Sequence, residues 1–216
     1  MKAEALVTDE TERVQRVYDQ FAASYDGWMQ LFDRWLVGDG RRRVVSQARG
    51  QTLEIAIGTG LNLAFYPDSV QLTGIDLTPA MLVIARQRAQ QLSLNVELLL
   101  GDAQALGFPD EHFDTVVCTL ALCTIPDERR ALEEAFRVLR LGGQLLLLEH
   151  VRSPVGPGRW AEWVLDPLLV RLAGDHLLRD PLDHLEAAGF SIERCTHSKW
   201  GFIEEVVARK QSGKLL

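Results

Sequence analysis

From residue 52 onward, short apolar runs alternate with stretches of helical periodicity, and this alternation constrains the fold more than any other feature of the chain. The runs at 52–57, 71–75, 96–100, 113–119 and 144–150 read as strands apolar on both faces. A strand buried on both sides needs helices above and below it, which is the arrangement of a parallel sheet. The end of the chain breaks the rhythm. Segments 191–196 and 202–209 are strand-like, with Lys199, Trp200 and Gly201 near the turn between them, so they should pair as an antiparallel hairpin. Five parallel strands and a closing hairpin give a seven-stranded sheet.

The intervening helices have recognisable ends. Thr78 and Pro79 supply an N-cap and a first-turn proline before Met81, Leu82, Ala85 and Ala89. Asp127 caps a helix bearing Leu132, Ala135, Phe136 and Leu139, which Gly142 and Gly143 should end. Asp180 and Pro181 open another, closed by Gly189. Upstream, Val14, Val17, Tyr18, Phe21 and Tyr25 recur at helical steps, as do Trp28, Leu31, Phe32, Trp35 and Leu36. A single domain over 1–216 is expected, with 1–50 as a helical lid and 51–216 as the sheet core. The Pro/Gly-rich patch at 153–158 is too short to separate two domains and reads as an exposed loop.

Charge narrows the partners. With 23 basic and 30 acidic side chains the formal charge is −7, and the pI is near 5.3. That balance argues against a nucleic-acid binder working through phosphate neutralisation and gives no general attraction to anionic membranes. Arg13, Arg16, Arg41, Arg42 and Arg43 offer a modest basic surface, enough for peripheral membrane contact at most. No apolar run reaches the ~18 residues of a membrane span, and 1–12 lacks the apolar region of a signal peptide. Three cysteines, Cys118, Cys123 and Cys195, are an odd number in apolar stretches, which points to a reducing cytoplasm. Cys118 and Cys123 lack metal-ligand spacing and read as small apolar fillers, and no metal is expected.

In an open α/β sheet, ligands sit beyond the carboxyl ends of the strands, where the strand order reverses. The first strand carries Glu54 and runs through Ala56 into Gly58, Thr59, Gly60 and Asn62, whose glycines let the backbone turn and approach a ligand closely. Asp76 ends the second strand 18 residues after Gly58, near the ~20 expected of a ribose-binding carboxylate. Asp102, at the end of the third, can meet an adenine amino group. The glycines do not spell G-x-G-x-x-G, and no basic residue sits where a pyrophosphate would lie. Glu54, Asp76 and Asp102 make a negative pocket suited to a positively charged adenosyl group without phosphates. S-adenosylmethionine (SAM) has that description. Plain alternatives stay open: the glycines can serve a tight turn, Asp76 can cap the following helix, and Asp102 can sit in water.

The segments LEIAIGTGLN, LTGIDLTPAML, GDAQALGFPDEHFDTVVC and VLRLGGQLLLLEHVRSP resemble the class I SAM-dependent methyltransferases, in particular the ubiquinone/menaquinone-methyltransferase-like branch. VCTLALCTIPD, EHV and VLDP…GDHLLRD…LEAAGF bring it closest to bacterial phosphatidylethanolamine N-methyltransferases and alkyl-thiol methyltransferase-like proteins. The resemblance spans about residues 14 to 209 and implies a Rossmann-like α/β fold with seven strands, an antiparallel terminal hairpin and SAM as cofactor. It implies that Glu54, Gly58 and Gly60 line the methionine part, that Asp76 holds the ribose, and that Asp102 and Ala103 meet the adenine. Asn62, Leu77, Met81 and Thr119 join the same cofactor-binding set, as do Tyr18 and Tyr25 of the lid. Ala56 also belongs to the set but departs from the family, which usually has glycine there.

Methyl transfer from a sulfonium needs no proton on the leaving group, so a base serves only to free the acceptor's lone pair. His150, at the end of the fifth strand, is the candidate base. His176 and Arg179 are candidates for contacting the acceptor, whereas His112 and His184 read as loop and helix-surface residues. An apolar lid favours a small apolar or lipid-like acceptor offering nitrogen or sulfur. The alternatives are carbon or oxygen methylation of a quinone precursor, a nicotinamide-dependent oxidoreductase, and a SAM-binding protein without catalysis.

Overall fold

The computed structural model describes residues 9–151, 182–198 and 201–211. Helix α1 (Asp9–Phe32) runs into a π-helical turn, Asp33–Val37, and is followed by α2 (Gly40–Val45). Then come β1 (Gln51–Ile55), β2 (Gln71–Asp76), α3 (Pro79–Gln91), β3 (Glu97–Leu100) and β4 (Phe113–Thr119). The rest is α4 (Glu128–Val138), β5 (Leu139–His150), α5 (Leu182–Leu185), β6 (Phe190–Ser198) and β7 (Ile203–Lys210). The seven strands form one sheet in the order β3-β2-β1-β4-β5-β7-β6. The first five are parallel, and β7 enters antiparallel between β5 and β6.

Two-sided burial explains the sheet. Leu145 to Leu148 of β5 are each at most 1% exposed. Leu145 and Leu147 pack with Leu132, Ala135 and Val138 of α4, and Leu146 and Leu148 pack with Val44 and Val45 of α2. Each buried leucine contributes about 2 kcal/mol of transfer free energy, which is why a four-leucine run folds as a central strand. A third cluster joins Leu82 and Ala89 of α3 to Leu72 and Ile57.

The chain reverses direction across the sheet at β1, which pairs with β2 on one side and β4 on the other. The crevice for a ligand opens there.

Several expectations are corrected. Gly142 and Gly143 do not end α4; the helix stops at Val138 and the chain enters β5 at Leu139. Leu139 already pairs with Phe113, and Gly142 (φ 75) lies in an irregular stretch before pairing resumes at Gln144. β3 is the sheet's edge rather than a doubly buried strand, with Leu99 and Leu100 exposed. Arg41 is buried at 6% exposure, so it belongs to no basic surface, and Arg43 is ion-paired with Glu205. The lid aromatics divide: Tyr18, Phe21 and Tyr25 stack edge to face, whereas Trp28 and Trp35 are exposed. The patch at 153–158, and the start of the helix at Asp180 and Pro181, lie outside the described residues. No helix among the described residues is long and apolar enough to cross a membrane.

Candidate active site

The chain leaves β1 and turns sharply, with Ala56 (φ 53), Gly58 (φ 58) and Gly60 (φ 78) in left-handed backbone. At Gly60 a Cβ would lie 2.7 Å from Leu63 Cδ1, so packing as well as conformation requires glycine. At Gly58 a Cβ would meet nothing within 4 Å, and that free space belongs to a cleft. Ala56 adopts the same conformation with a side chain present, at a cost of about 1 kcal/mol. Asp76 fixes the turn from the neighbouring strand: its Oδ2 accepts from Gly58 N and its Oδ1 from Thr78 N, each at 2.8 Å. The expected Thr78 side-chain cap is absent; the first-turn N–H of Ala80 donates instead to Asp19 Oδ1 of α1 at 3.2 Å. Burial pushes the Asp76 carboxyl pKa up, against the pull of the hydrogen bonds from Thr78 and Gly58.

These turns border an open-mouthed cleft at the switch point. Its β2–β3 side carries Asp76, Leu77, Met81, Asp102 and Ala103, and its β4 side carries Thr119, Leu120, Ala121, Ile125 and Pro126. Tyr18 and Tyr25 reach it from α1, together with Val14. Burial raises the Tyr25 pKa to about 12, with Arg41 opposing, so the phenol keeps its proton at neutral pH. Asp102 accepts from Gln104 N at 2.8 Å and from Gln104 Nε2. The helix over the cleft is tied down by Gln15 Nε2 donating to Leu77 O at 2.9 Å and by the Asp26–Arg88 ion pair.

Behind the cleft runs a buried polar network. Glu54 accepts from Asn62 Nδ2 at 2.6 Å and from the Tyr66 hydroxyl at 2.9 Å. Asn62 also donates to Thr119 Oγ1 at 2.8 Å, and Arg41 donates to both Asn62 Oδ1 and Thr119 Oγ1 at 3.2 Å. Asp33 completes the chain with a 2.7 Å ion pair to Arg41. Burial drives the Glu54 pKa up to about 7, although Asn62, Tyr66 and Arg41 all favour its charged form. On the far side of the cleft, Glu149 Oε1 accepts from the backbone N–H groups of Ala121 and Leu122 at 3.1 and 3.2 Å, shaping the β4-side turn.

A family model described as a methyltransferase domain matches residues 53–147. A phosphatidylethanolamine N-methyltransferase of Cereibacter sphaeroides is 35% identical over 146 residues, covering 61% of this chain and 72% of that protein. The chain belongs to the class I SAM-dependent methyltransferases. A demethylmenaquinone methyltransferase of Thermus thermophilus is 36% identical to this methyltransferase, covering 65% of its chain and 67% of the relative. A human thiol S-methyltransferase is 34% identical, covering 70% and 67%. Among solved structures, the [4+2]-cyclase SpnF has a TM-score of 0.73 at 22% identity, covering 94% of this chain and 97% of that one. A possible histamine N-methyltransferase of Thermotoga maritima has a TM-score of 0.71 at 24% identity, covering 91% and 99%. These two likenesses establish the shared Rossmann-like fold.

The cleft of the methyltransferase fits its SAM cofactor. The only charged side chains among the described lining residues are Asp76 and Asp102, both acidic, and Gly58 leaves open the space a side chain would fill. Of the residues expected from sequence, Tyr18, Tyr25, Ala56, Gly58, Asp76, Leu77, Met81, Asp102, Ala103 and Thr119 line the cleft. Glu54, Gly60 and Asn62 are not among the lining residues; they are buried, with Glu54 and Asn62 in the network that braces it. His150 is also not a lining residue. Strand alternation turns it to the face opposite Glu149, the face that carries Leu146 and Leu148 towards α2. His176 and Arg179 lie outside the described residues. Sequence reading missed Arg41, Asp33, Tyr66 and Glu149, whose partners are 8 to 78 residues away along the chain. It also missed the wall residues Val14, Gln104 and Thr124.

Proposed function

We propose that this methyltransferase methylates a small apolar acceptor at nitrogen or sulfur. The observation that carries the reading is the division of the cleft. Its β2–β3 side carries the two carboxylates, Asp76 and Asp102, and matches the adenosyl group, whereas its β4 side is uncharged, with Leu120, Ala121, Ile125 and Pro126 beside Thr119 and Thr124. An uncharged, largely apolar side next to a charged one favours an acceptor that gains by leaving water. The relatives named for a phospholipid amine and for a thiol support nitrogen and sulfur. The relative named for demethylmenaquinone favours the second reading, a quinone-type acceptor.

In this proposal residues 1–50 act as lid and 51–216 as core of one domain. Asp76 accepts the ribose hydroxyls, and Asp102 with Ala103 meets the adenine. Gly58 gives the methionine part room, while Glu54, Gly60 and Asn62 hold the loop from behind. Bound there, SAM supplies a methyl on a positively charged sulfur that an aligned lone pair displaces. Tyr18 and Tyr25 place ring faces beside that positive charge. The lid and the apolar wall contribute positioning and exclusion of water, the two effects such a displacement needs most.

An acceptor panel tests this with radiolabelled SAM. It holds micellar phosphatidylethanolamine, a long-chain amine, an alkyl thiol, a demethylated quinone and a hydrophilic amine. Turnover should concentrate on the apolar amines or the thiol. Turnover confined to the quinone establishes the second reading, and preference for the hydrophilic amine refutes both.

A further inference from the structure

At the far edge of the sheet, β6 and β7 bring together three side chains that methyl transfer leaves unused. Cys195 and His197 are two residues apart on β6 and so share a face. In the antiparallel register His197 stands opposite Glu204 of β7, and Cys195 stands opposite Val206. His197 Nε2 lies 2.8 Å from Glu204 Oε1, and Cys195 Sγ lies 3.3 Å from the same oxygen. The sulfur, nitrogen and oxygen atoms all lie within 4.8 Å of one another.

We propose that Cys195, His197 and Glu204 form a binding site for a zinc-class divalent cation. A tetrahedral zinc ion at ~2.3 Å from sulfur and ~2.1 Å from nitrogen and oxygen holds its donors about 3.3–3.6 Å apart. The Cys195–Glu204 separation of 3.3 Å matches that spacing, the His197–Glu204 separation of 2.8 Å is shorter, and all three donors lie within 4.8 Å, so side-chain rotation has to open the one pair to seat an ion. One thiolate, one imidazole and one carboxylate make a mixed set that favours zinc over magnesium or calcium. Burial is graded across the site: Glu204 is buried, Cys195 half-buried, and the His197 side chain 52% exposed. An ion can therefore enter from the His197 side and rest against the buried carboxylate. Glu149 of β5 pairs with Glu204 in the same cross-strand row and adds negative potential. Binding breaks the Cys195 S–H bond, with the proton released to solvent and the thiolate pair donated to the metal. Among the described strands β6 pairs with β7 alone, at the edge of the sheet, and an ion bridging the two pins that edge.

The test uses the full chain without an affinity tag, stripped with chelator. Zn²⁺ is titrated by calorimetry and Co²⁺ by absorption. One ion per chain should bind with micromolar or tighter affinity, and Co²⁺ should give a near-ultraviolet thiolate-to-metal band. Cys195→Ser should abolish that band. His197→Gln, at an exposed position that leaves the fold intact, should weaken Zn²⁺ binding about tenfold or more and leave SAM affinity unchanged. Absence of saturable binding overturns the proposal. So does a Co²⁺ band that survives Cys195→Ser, which would assign it to Cys118 or Cys123, or Zn²⁺ affinity that His197→Gln leaves intact. SAM binding measured on the same samples keeps this outcome separate from the methyltransferase assignment.

Discussion

Glu54 offers the sharpest energetic test, because its carboxyl is held near a pKa of about 7 against an ordinary value of 4.5. Burial is the cause, and the hydrogen bonds from Asn62 and Tyr66 only moderate it. A carboxyl whose folded pKa is raised binds its proton more tightly when folded. Its contribution to stability is therefore complete below pH 4.5 and is lost as pH rises through about 7. Each pKa unit is worth about 1.36 kcal/mol, so the loss approaches about 3 kcal/mol once the group is ionised.

Glu54→Gln removes the ionisation and keeps the shape. The amide oxygen still accepts from Asn62 Nδ2, while the Tyr66 hydroxyl must turn to accept from the amide. Urea unfolding of both proteins between pH 5 and pH 9 isolates the effect, because every other titrating group is common to the two. The variant should match or slightly trail the parent at pH 5. Its relative stability should climb across neutrality, levelling about 3 kcal/mol higher above pH 8. A stability difference that stays flat with pH would refute the reasoning, and would mean that the folded chain leaves Glu54 with an ordinary carboxylate pKa.

Four further outcomes follow from the same geometry. Asp76→Ala should weaken SAM binding more than tenfold, about 1.4 kcal/mol or more; an unchanged dissociation constant in calorimetry sends the ribose elsewhere. Arg41→Ala strands Asp33 and strips Asn62 and Thr119 of a donor, so urea unfolding should show a loss of about 3 kcal/mol. A loss near zero would make Arg41 dispensable. Ala56→Gly relieves a left-handed alanine and should raise stability by up to about 1 kcal/mol; a destabilised variant would show that the backbone there is unstrained. His150→Asn should leave the pH–rate profile unchanged, since the side chain faces away from the cleft lining; a turnover loss at neutral and higher pH, where an imidazole is free to take a proton, would restore it as the base.

The fold was legible because its signal is local. Thr52 and Leu53 in β1 or Leu145 to Leu148 in β5 announce a doubly buried strand within a few residues, and strand ends then locate Gly58, Asp76 and Asp102. The errors came where one neighbourhood imposed on another. Gly142 and Gly143 look like a helix stop, yet pairing of Leu139 with Phe113 draws the chain into the sheet before Gly142 is reached. Arg41 looks like one of three solvated arginines, yet Asn62 and Thr119, 21 and 78 residues away, bury it. Glu54 reads as a strand-end carboxylate, but nothing in its flanking residues tells that it accepts from Asn62 and Tyr66 in a buried network behind the cleft lining.

The two sides of the cleft differ in how they are encoded, and that difference bears on function. Asp76, Asp102 and Gly58 are fixed by strand ends and by each other: the Asp76 carboxylate that would meet a ribose also holds Gly58 N and Thr78 N. Changing that side therefore costs the fold as well as the cofactor. Leu120, Ala121, Ile125 and Pro126 lie on a short connection between β4 and α4. Glu149 anchors that connection through backbone N–H groups of Ala121 and Leu122, which any residue but proline supplies. Side chains on the apolar side can change without loss of the bonds that shape it. One framework can then keep its methyl donor while its acceptor varies, in keeping with relatives named for a phospholipid amine, a thiol and a menaquinone precursor. On this reasoning, exchanges such as Ile125→Ala should shift acceptor preference in the panel while leaving SAM affinity within about twofold.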